Sequence, residues 1–215
     1  MRLVTDSDHA AWLQGRRSGV GRGLVLSALA GALVAWLPLP NIWWTMTAMA
    51  AILLPLAIRG MGRGLLSLLA PSWPRVGTGL LAAALQYVAG AAVFSLVASW
   101  PRLLADLPAL HAQLGALPLS IGLLLLPFII AAEEVIWRGA VTLPLAARLG
   151  PWPGVLAGAA LCAGAHLGMG LPLLAVAAFA AGIFWGALAV RSRSLVPGIV
   201  CHLLWDVFVF YVRPY

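Results

Sequence analysis

Seven long apolar runs, separated by short stretches rich in Pro, Gly and Arg, occupy most of the chain, at residues 24–37, 42–58, 77–99, 119–147, 153–169, 171–190 and 195–212. Roughly 20 apolar residues in a helix cross the hydrocarbon core of a bilayer, so runs of this kind predict transmembrane helices. The first run is short for a crossing and is expected to borrow residues from the glycine-rich stretch before it. Residues 103–117 are expected to form an interfacial helix. The expected fold is therefore all-α, a polytopic transmembrane helix bundle of about seven spans. Residues 1–23 are expected to be a cytoplasmic tail and 24–215 a single transmembrane domain, with no repeat, long linker or second domain visible. No apolar core with a small-residue cleavage site follows the N-terminal arginines as a signal peptide would require.

Composition agrees with this picture: 63% of the 215 residues are hydrophobic and only 9% charged, and the mean hydropathy is +1.01. A soluble domain could not cover itself with so little polar surface. A net charge of +7 would suit a nucleic-acid partner, but the positive charges are all arginines placed between the apolar runs, where membrane orientation is set. With Arg138 set aside, ten arginines (2, 16, 17, 22, 59, 63, 75, 148, 191, 193) fall on one side of the expected bundle and two, Arg102 and Arg213, on the other. That bias puts the N-terminus in the cytoplasm and the C-terminus across the membrane, with the lipid bilayer and no nucleic acid as partner. The small, lysine-free, Ala/Gly/Arg-rich chain is expected to come from a bacterial inner membrane. Trp36, Trp43, Trp44, Trp73, Trp100 and Trp152 lie near the expected helix ends and are read as headgroup anchors. The pairs Gly154/Gly158, Gly164/Gly168 and Gly182/Gly186 have the spacing that lets helix backbones approach closely in lipid.

Half of the six acidic residues (Glu133, Glu134, Asp206) and half of the four histidines (His166, His202) nevertheless lie inside the apolar runs. Ionisable groups at that depth are costly and ordinarily face a protein-lined cavity with a task. Glu134 and Arg138 are four apart, on one helical face, and should pair. Glu133 lies about 100° round the helix and is left without that partner, as a general base would be. The bland alternative is a salt-bridged knot that merely ties helices together. His202 and Asp206 are also four apart, so the carboxylate can orient the imidazole. Glu133 and His166 each lie about 14 residues from the turn joining their helices, roughly 20 Å at the helical rise, and can meet. His202, about seven residues into the last helix, would lie only about 10 Å from that surface, so a tilt of that helix is expected to close the gap.

A carboxylate and a histidine at one depth, with a second histidine and a further polar group nearby, suit water activation and oxyanion stabilisation, hence hydrolysis. Cys162, one turn before His166, lacks the exposed elbow of a nucleophile. Cys162 and Cys201 are read as small buried residues, and His9 and His111 as solvated. A divalent metal such as zinc is the competing expectation, since Cys162, His166, Cys201, His202 and Asp206 are all ligand types. Adjacent Cys201 and His202 point about 100° apart, which strains a four-ligand site, so no cofactor is favoured. Two other classes remain open: a proton- or ion-coupled carrier, which should show two related halves, and a catalytically inactive scaffold or immunity protein.

Three motifs in order, Glu133-Glu134-Val135-Ile136-Trp137-Arg138-Gly139, Cys162-Ala163-Gly164-Ala165-His166 and His202-Leu203-Leu204-Trp205-Asp206, resemble the Glu-Glu-x-x-x-Arg, Phe-x-x-x-His and His-x-x-x-Asn/Asp pattern of the CAAX-protease and bacteriocin-processing (CPBP, Abi) family of intramembrane proteases. The match covers residues 119–209, the expected catalytic core, and departs where Cys162 replaces the aromatic. The resemblance implies that Glu133 and His166 activate the hydrolytic water, that His202 and Asp206 hold the oxyanion, and that Glu134 and Arg138 order the site. It also implies a membrane-anchored protein or peptide substrate. Family members have been described both as metalloproteases and as metal-independent glutamate proteases, and the ligand geometry favours the latter.

Overall fold

Proline placement fixes several helix starts. Five helices carry Pro in their first turn, where the missing N–H is no loss and the fixed φ suits a helix. The computed structural model describes residues 16–37, 39–100 and 104–212, so most of the expected tail, with His9, lies outside the described residues. A short 3-10 turn, Arg17–Gly19, leads into α1 (Val20–Trp36), followed by α2 (Ile42–Met61), α3 (Gly64–Leu69), α4 (Trp73–Val97) and α5 (Leu107–Leu114). Then come α6 (Leu119–Glu133), a π-helical stretch Glu134–Thr142, α7 (Leu143–Leu149), α8 (Pro151–Leu167), α9 (Pro172–Ser192) and α10 (Val196–Val207) with a closing π turn Phe208–Val212. There is no strand among the described residues.

Five helices are long and apolar enough to cross a bilayer: Arg17–Trp36, Ile42–Met61, Trp73–Val97, Leu119–Leu149 and Pro172–Ser192. The other two expected runs form shorter helices, α8 with 17 residues and Val196–Val212. The first span does borrow residues from the glycine-rich stretch, starting at Val20. Of the expected interfacial helix, Leu107–Leu114 is helical, and His111 on it is exposed.

The continuous element α6–π–α7 runs through the middle of the bundle, with Ile130, Ile136, Trp137, Val141 and Leu143 almost wholly buried. Small residues let α8 lie against it: Gly154 abuts the backbone of Ala146, and Gly158 abuts the side chain of Thr142. On the adjoining face of α8, a Cβ added to Gly182 of α9 would lie 3.1 Å from Ala159, and one on Gly186 would lie 3.2 Å from Val155. Two of the three glycine pairs therefore make the expected close approaches. The third does not: Gly164 faces open space, and Gly168 packs on α1 at Val34. At the turn from α7 to α8, Gly150 takes φ +97°, a conformation that favours glycine.

Trp43 also departs from expectation. It is 3% exposed and donates its indole N–H to Leu114 O at 2.9 Å, so it is a core residue that fastens α2 to α5. Trp36, Trp44, Trp73, Trp100 and Trp152 are exposed, as anchors should be. The helix α3, not expected from the pattern, seats the turn between α9 and α10. Leu68 O accepts from both Ser194 Oγ and Leu195 N, each at 2.9 Å, and Ser194 and Leu195 are fully buried. At the same end, Arg17 Nε donates to Ala147 O at 2.8 Å.

These contacts predict opposite outcomes for two glycine substitutions on α8. Gly154→Ala forces α8 off the Ala146 backbone and should lower stability by about 1–3 kcal/mol. Gly164→Ala meets nothing within 4 Å and should leave stability unchanged or raise it by up to about 1 kcal/mol through helix propensity. Thermal unfolding of both variants in one detergent checks the pair.

Candidate active site

Glu133 ends α6 and Glu134 begins the π-helical stretch. Widening of the helix is direct: Leu143 N–H bonds the carbonyl of Arg138, five residues back. Such stretches are rare and cluster at functional sites. Within it Glu134 and Arg138 pair as expected, with Arg138 Nη1 3.1 Å from Glu134 Oε1 and both side chains nearly inaccessible. The same oxygen takes a hydrogen bond from His202 Nδ1 at 2.9 Å, so one carboxylate oxygen joins the central helix to α10.

Glu133 has no such commitment. Its Oε1 lies 3.7 Å from His166 Nε2 and its Oε2 lies 3.8 Å from His202 Nε2. Both distances are too long for direct hydrogen bonds. His166 Nδ1 is 2.8 Å from Cys162 O. A carbonyl only accepts, so this nitrogen carries a proton, and in the neutral ring Nε2 is the acceptor that faces Glu133. Asp206 Oδ2 is 3.6 Å from His202 Nε2. The structure thus brings Glu133, Glu134, Arg138, His166, His202 and Asp206 into one buried cluster.

The last helix does bring His202 to the glutamates, with Nε2 3.8 Å from Glu133 Oε2. It starts from a buried turn whose Ser194 Oγ and Leu195 N–H both bond Leu68 O. Gly198, in its first turn, lies against the Glu134 carboxylate: a Cβ there would be 2.7 Å from Oε2. Arg138 likewise has room because Gly182 faces it, with an added Cβ 3.8 Å from Nη2.

Two residues of the cluster were not singled out from the sequence. Trp185 of α9 stacks on His202, with ring centroids 3.5 Å apart and planes at 20°. Arg138 Cζ lies 4.7 Å from the centroid of the same indole, a cation–π arrangement. Gln86 of α4 accepts the Trp185 N–H at 2.7 Å and the Cys201 thiol at 3.2 Å. Gln86 had a visible signal, an amide in the interior of an apolar run, where such groups glue helices together. Trp185 had none, since a tryptophan inside an apolar run reads as core.

Of the ligand types considered for a metal, His166, His202 and Asp206 meet at Glu133, whereas the cysteines turn elsewhere. Cys201 turns to Gln86, His202 Nδ1 is taken by Glu134, and Cys162 Sγ contacts His166 Nδ1 at 3.9 Å. Among the described residues, no group of three or more His, Cys, Asp and Glu has the arrangement of a metal site. Both cysteines are free and buried, as the sequence reading held.

Comparison with known proteins adds one match. The family model described as type II CAAX prenyl endopeptidase Rce1-like matches residues 115–208, a region that begins just before α6 and contains the π-helical stretch, α7, α8, α9 and α10 through Asp206. Neither the curated proteins nor the solved structures contain a significant match to the chain. The matched region takes in all three motifs and every residue of the cluster except Gln86. A chain with five helices long and apolar enough to cross a membrane is thus similar, over residues 115–208, to the Rce1-like family model, in agreement with the resemblance of its motifs to the CAAX-protease and bacteriocin-processing family.

Proposed function

We propose that the chain is an intramembrane endopeptidase that hydrolyses a peptide bond of a membrane-anchored or lipidated protein through a water activated by Glu133 and His166. The observation that carries this reading is the placement of the Glu133 carboxylate between two imidazole Nε2 atoms at 3.7 and 3.8 Å. A water in that space can give one proton to each of two acceptors. Glu133 takes a proton as the water oxygen adds to the peptide carbonyl carbon, and later returns it to the leaving amine as the C–N bond breaks. The His166 Nε2 lone pair orients the water because its other nitrogen is held by Cys162 O. A protonated His202, anchored at Nδ1 by Glu134, presents Nε2–H to the carbonyl oxygen as it becomes an oxyanion. Asp206 orients that imidazole, and the Glu134–Arg138 pair holds the assembly in register.

In this reading all seven apolar helices cross the membrane, the two short ones α8 and Val196–Val212 included, and the active site lies among the helices of the C-terminal half. The arginine-rich end faces the cytoplasm of a bacterial cell, with the membrane-anchored substrate entering from the lipid. The mechanism in this reading uses no metal: a four-ligand set from the candidate residues would need a cysteine, and Cys201 turns away to Gln86 while His202 Nδ1 is held by Glu134. A carrier or an inactive scaffold would retain its phenotype when the hydrolytic chemistry of Glu133 is removed, which separates those classes from this one.

Three outcomes follow. With purified protein in nanodiscs and a panel of membrane-anchored peptides, Glu133→Gln should lose cleavage by a factor of about 10³ or more, since water activation and return of the proton both need the carboxylate. Its melting temperature should stay close to that of the unmodified protein. Arg138→Ala leaves Glu134 buried without its guanidinium partner and should cost about 3–5 kcal/mol in stability as well as activity, read by thermal unfolding beside the cleavage assay. Treatment with EDTA or phenanthroline should leave cleavage intact; loss of activity restored by zinc would overturn the metal-free mechanism.

A further inference from the structure

We propose that Gln86, outside the family-matched region, is a positioning residue that fixes the ring of His202 through Trp185. The proposal rests on the cluster being the hydrolytic site and goes beyond it by assigning a role to the first half of the chain.

Gln86 lies on one face of α4 with Gly79, Ala82 and Ala83, spaced as neighbours along a helix. This face lies on α10 with almost no gap: a Cβ on Gly79 would be 2.7 Å from Val200 Cβ and 2.9 Å from Pro197 O. Close approach at Gly79 brings the longer Gln86 side chain two turns on to both α9 and α10. There its Oε1 receives the Trp185 indole N–H at 2.7 Å and the Cys201 thiol at 3.2 Å. An indole N–H only donates, so the atom facing it is the amide oxygen.

The consequence lies at the other side of the indole. His202 stacks on Trp185 at 3.5 Å, and Arg138 lies over the same ring. Both of those groups also bind Glu134 Oε1. Glu134 therefore fixes one edge of the imidazole, while the indole fixes its plane, and only together do they aim Nε2 at Glu133. Trp185 is 4% exposed, so an indole N–H deprived of Gln86 has no water to turn to. Rotation of the ring toward another acceptor would carry the stacked imidazole with it.

The test is a double-mutant cycle on cleavage, joined to NMR of protein labelled with 15N at histidine. Gln86→Leu should lower kcat about tenfold with KM changed by less than about twofold, the signature of misplaced chemistry and not of lost binding. Gln86→Glu, which keeps an acceptor oxygen, should restore most of kcat. Trp185→Phe keeps a stacking ring but has no N–H to satisfy, so adding Gln86→Leu to it should cost little further. The double variant also removes the unsatisfied indole, and it serves where Gln86→Leu alone does not fold. In the spectra, the His202 ring nitrogens should shift on Gln86→Leu while those of His166 stay in place. An equal loss of kcat in both backgrounds, or unmoved His202 resonances, would overturn the proposal. If the unmodified protein cleaves no peptide and binds none, the hydrolytic reading fails by itself, and the His202 resonances still decide whether Gln86 holds that ring.

Discussion

A carboxylate with no water beside it must be satisfied by the protein, and Glu134 sets that requirement at the centre of the bundle. It is wholly buried, and its Oε1 is held by a guanidinium from its own helix and an imidazole from α10. Removing Arg138 takes away the guanidinium that neutralises this charge, and removing His202 takes away its shortest hydrogen bond, losses that no neighbouring Leu or Ala can offset. The packing around it follows from that need. Gly198 lets α10 come within contact of the carboxylate, Gly182 leaves space for Arg138 on the side of α9, and Trp185 lies flat beneath both donors.

A second, more remote contact anchors the start of the last helix. The short helix α3 offers Leu68 O to the turn after α9, which satisfies the Ser194 hydroxyl and the Leu195 N–H in a turn that is wholly buried. From that turn α10 carries Gly198 against the Glu134 carboxylate, and His202, one turn further on, reaches both glutamates. A six-residue helix of the N-terminal half thus seats the turn from which α10 brings its polar residues into the cluster.

Much of this was legible from residue pattern, and the exceptions share a physical character. Charged and imidazole side chains in apolar runs stand out because lipid excludes them, so Glu133, Glu134, Arg138, His166, His202 and Asp206 were identifiable without any coordinates. Helix spans follow from length and apolarity for the same reason. By contrast, Trp43 reads as an interfacial anchor and is in fact a core donor to Leu114, because an indole suits either setting and only the tertiary structure decides. Gly164 has the spacing of a packing motif but faces open space, since spacing specifies a face and not what that face meets. The π-helical stretch has no compositional mark: nine residues beginning Glu134-Val135-Ile136 would serve equally in an α-helix.

Two adjacent glutamates are nevertheless placed very differently. In a regular helix neighbours point about 100° apart and would address different partners, yet here both reach the same imidazole, Glu134 at Nδ1 and Glu133 toward Nε2. One is committed, with partners at 2.9 and 3.1 Å; the other stands off at 3.7 and 3.8 Å from two rings, beyond direct hydrogen-bond reach of either. A carboxylate already gripped by two donors makes a poor base, and one gripped by none is an expensive burial. Under the proposed reaction, dividing the pair lets the first orient His202 while the second keeps its lone pairs for a proton. Both glutamates keep ordinary helical backbone angles, and what brings them to one ring is the approach of α10, which Gly198 allows, so the division depends on the facing helix as much as on the carboxylates.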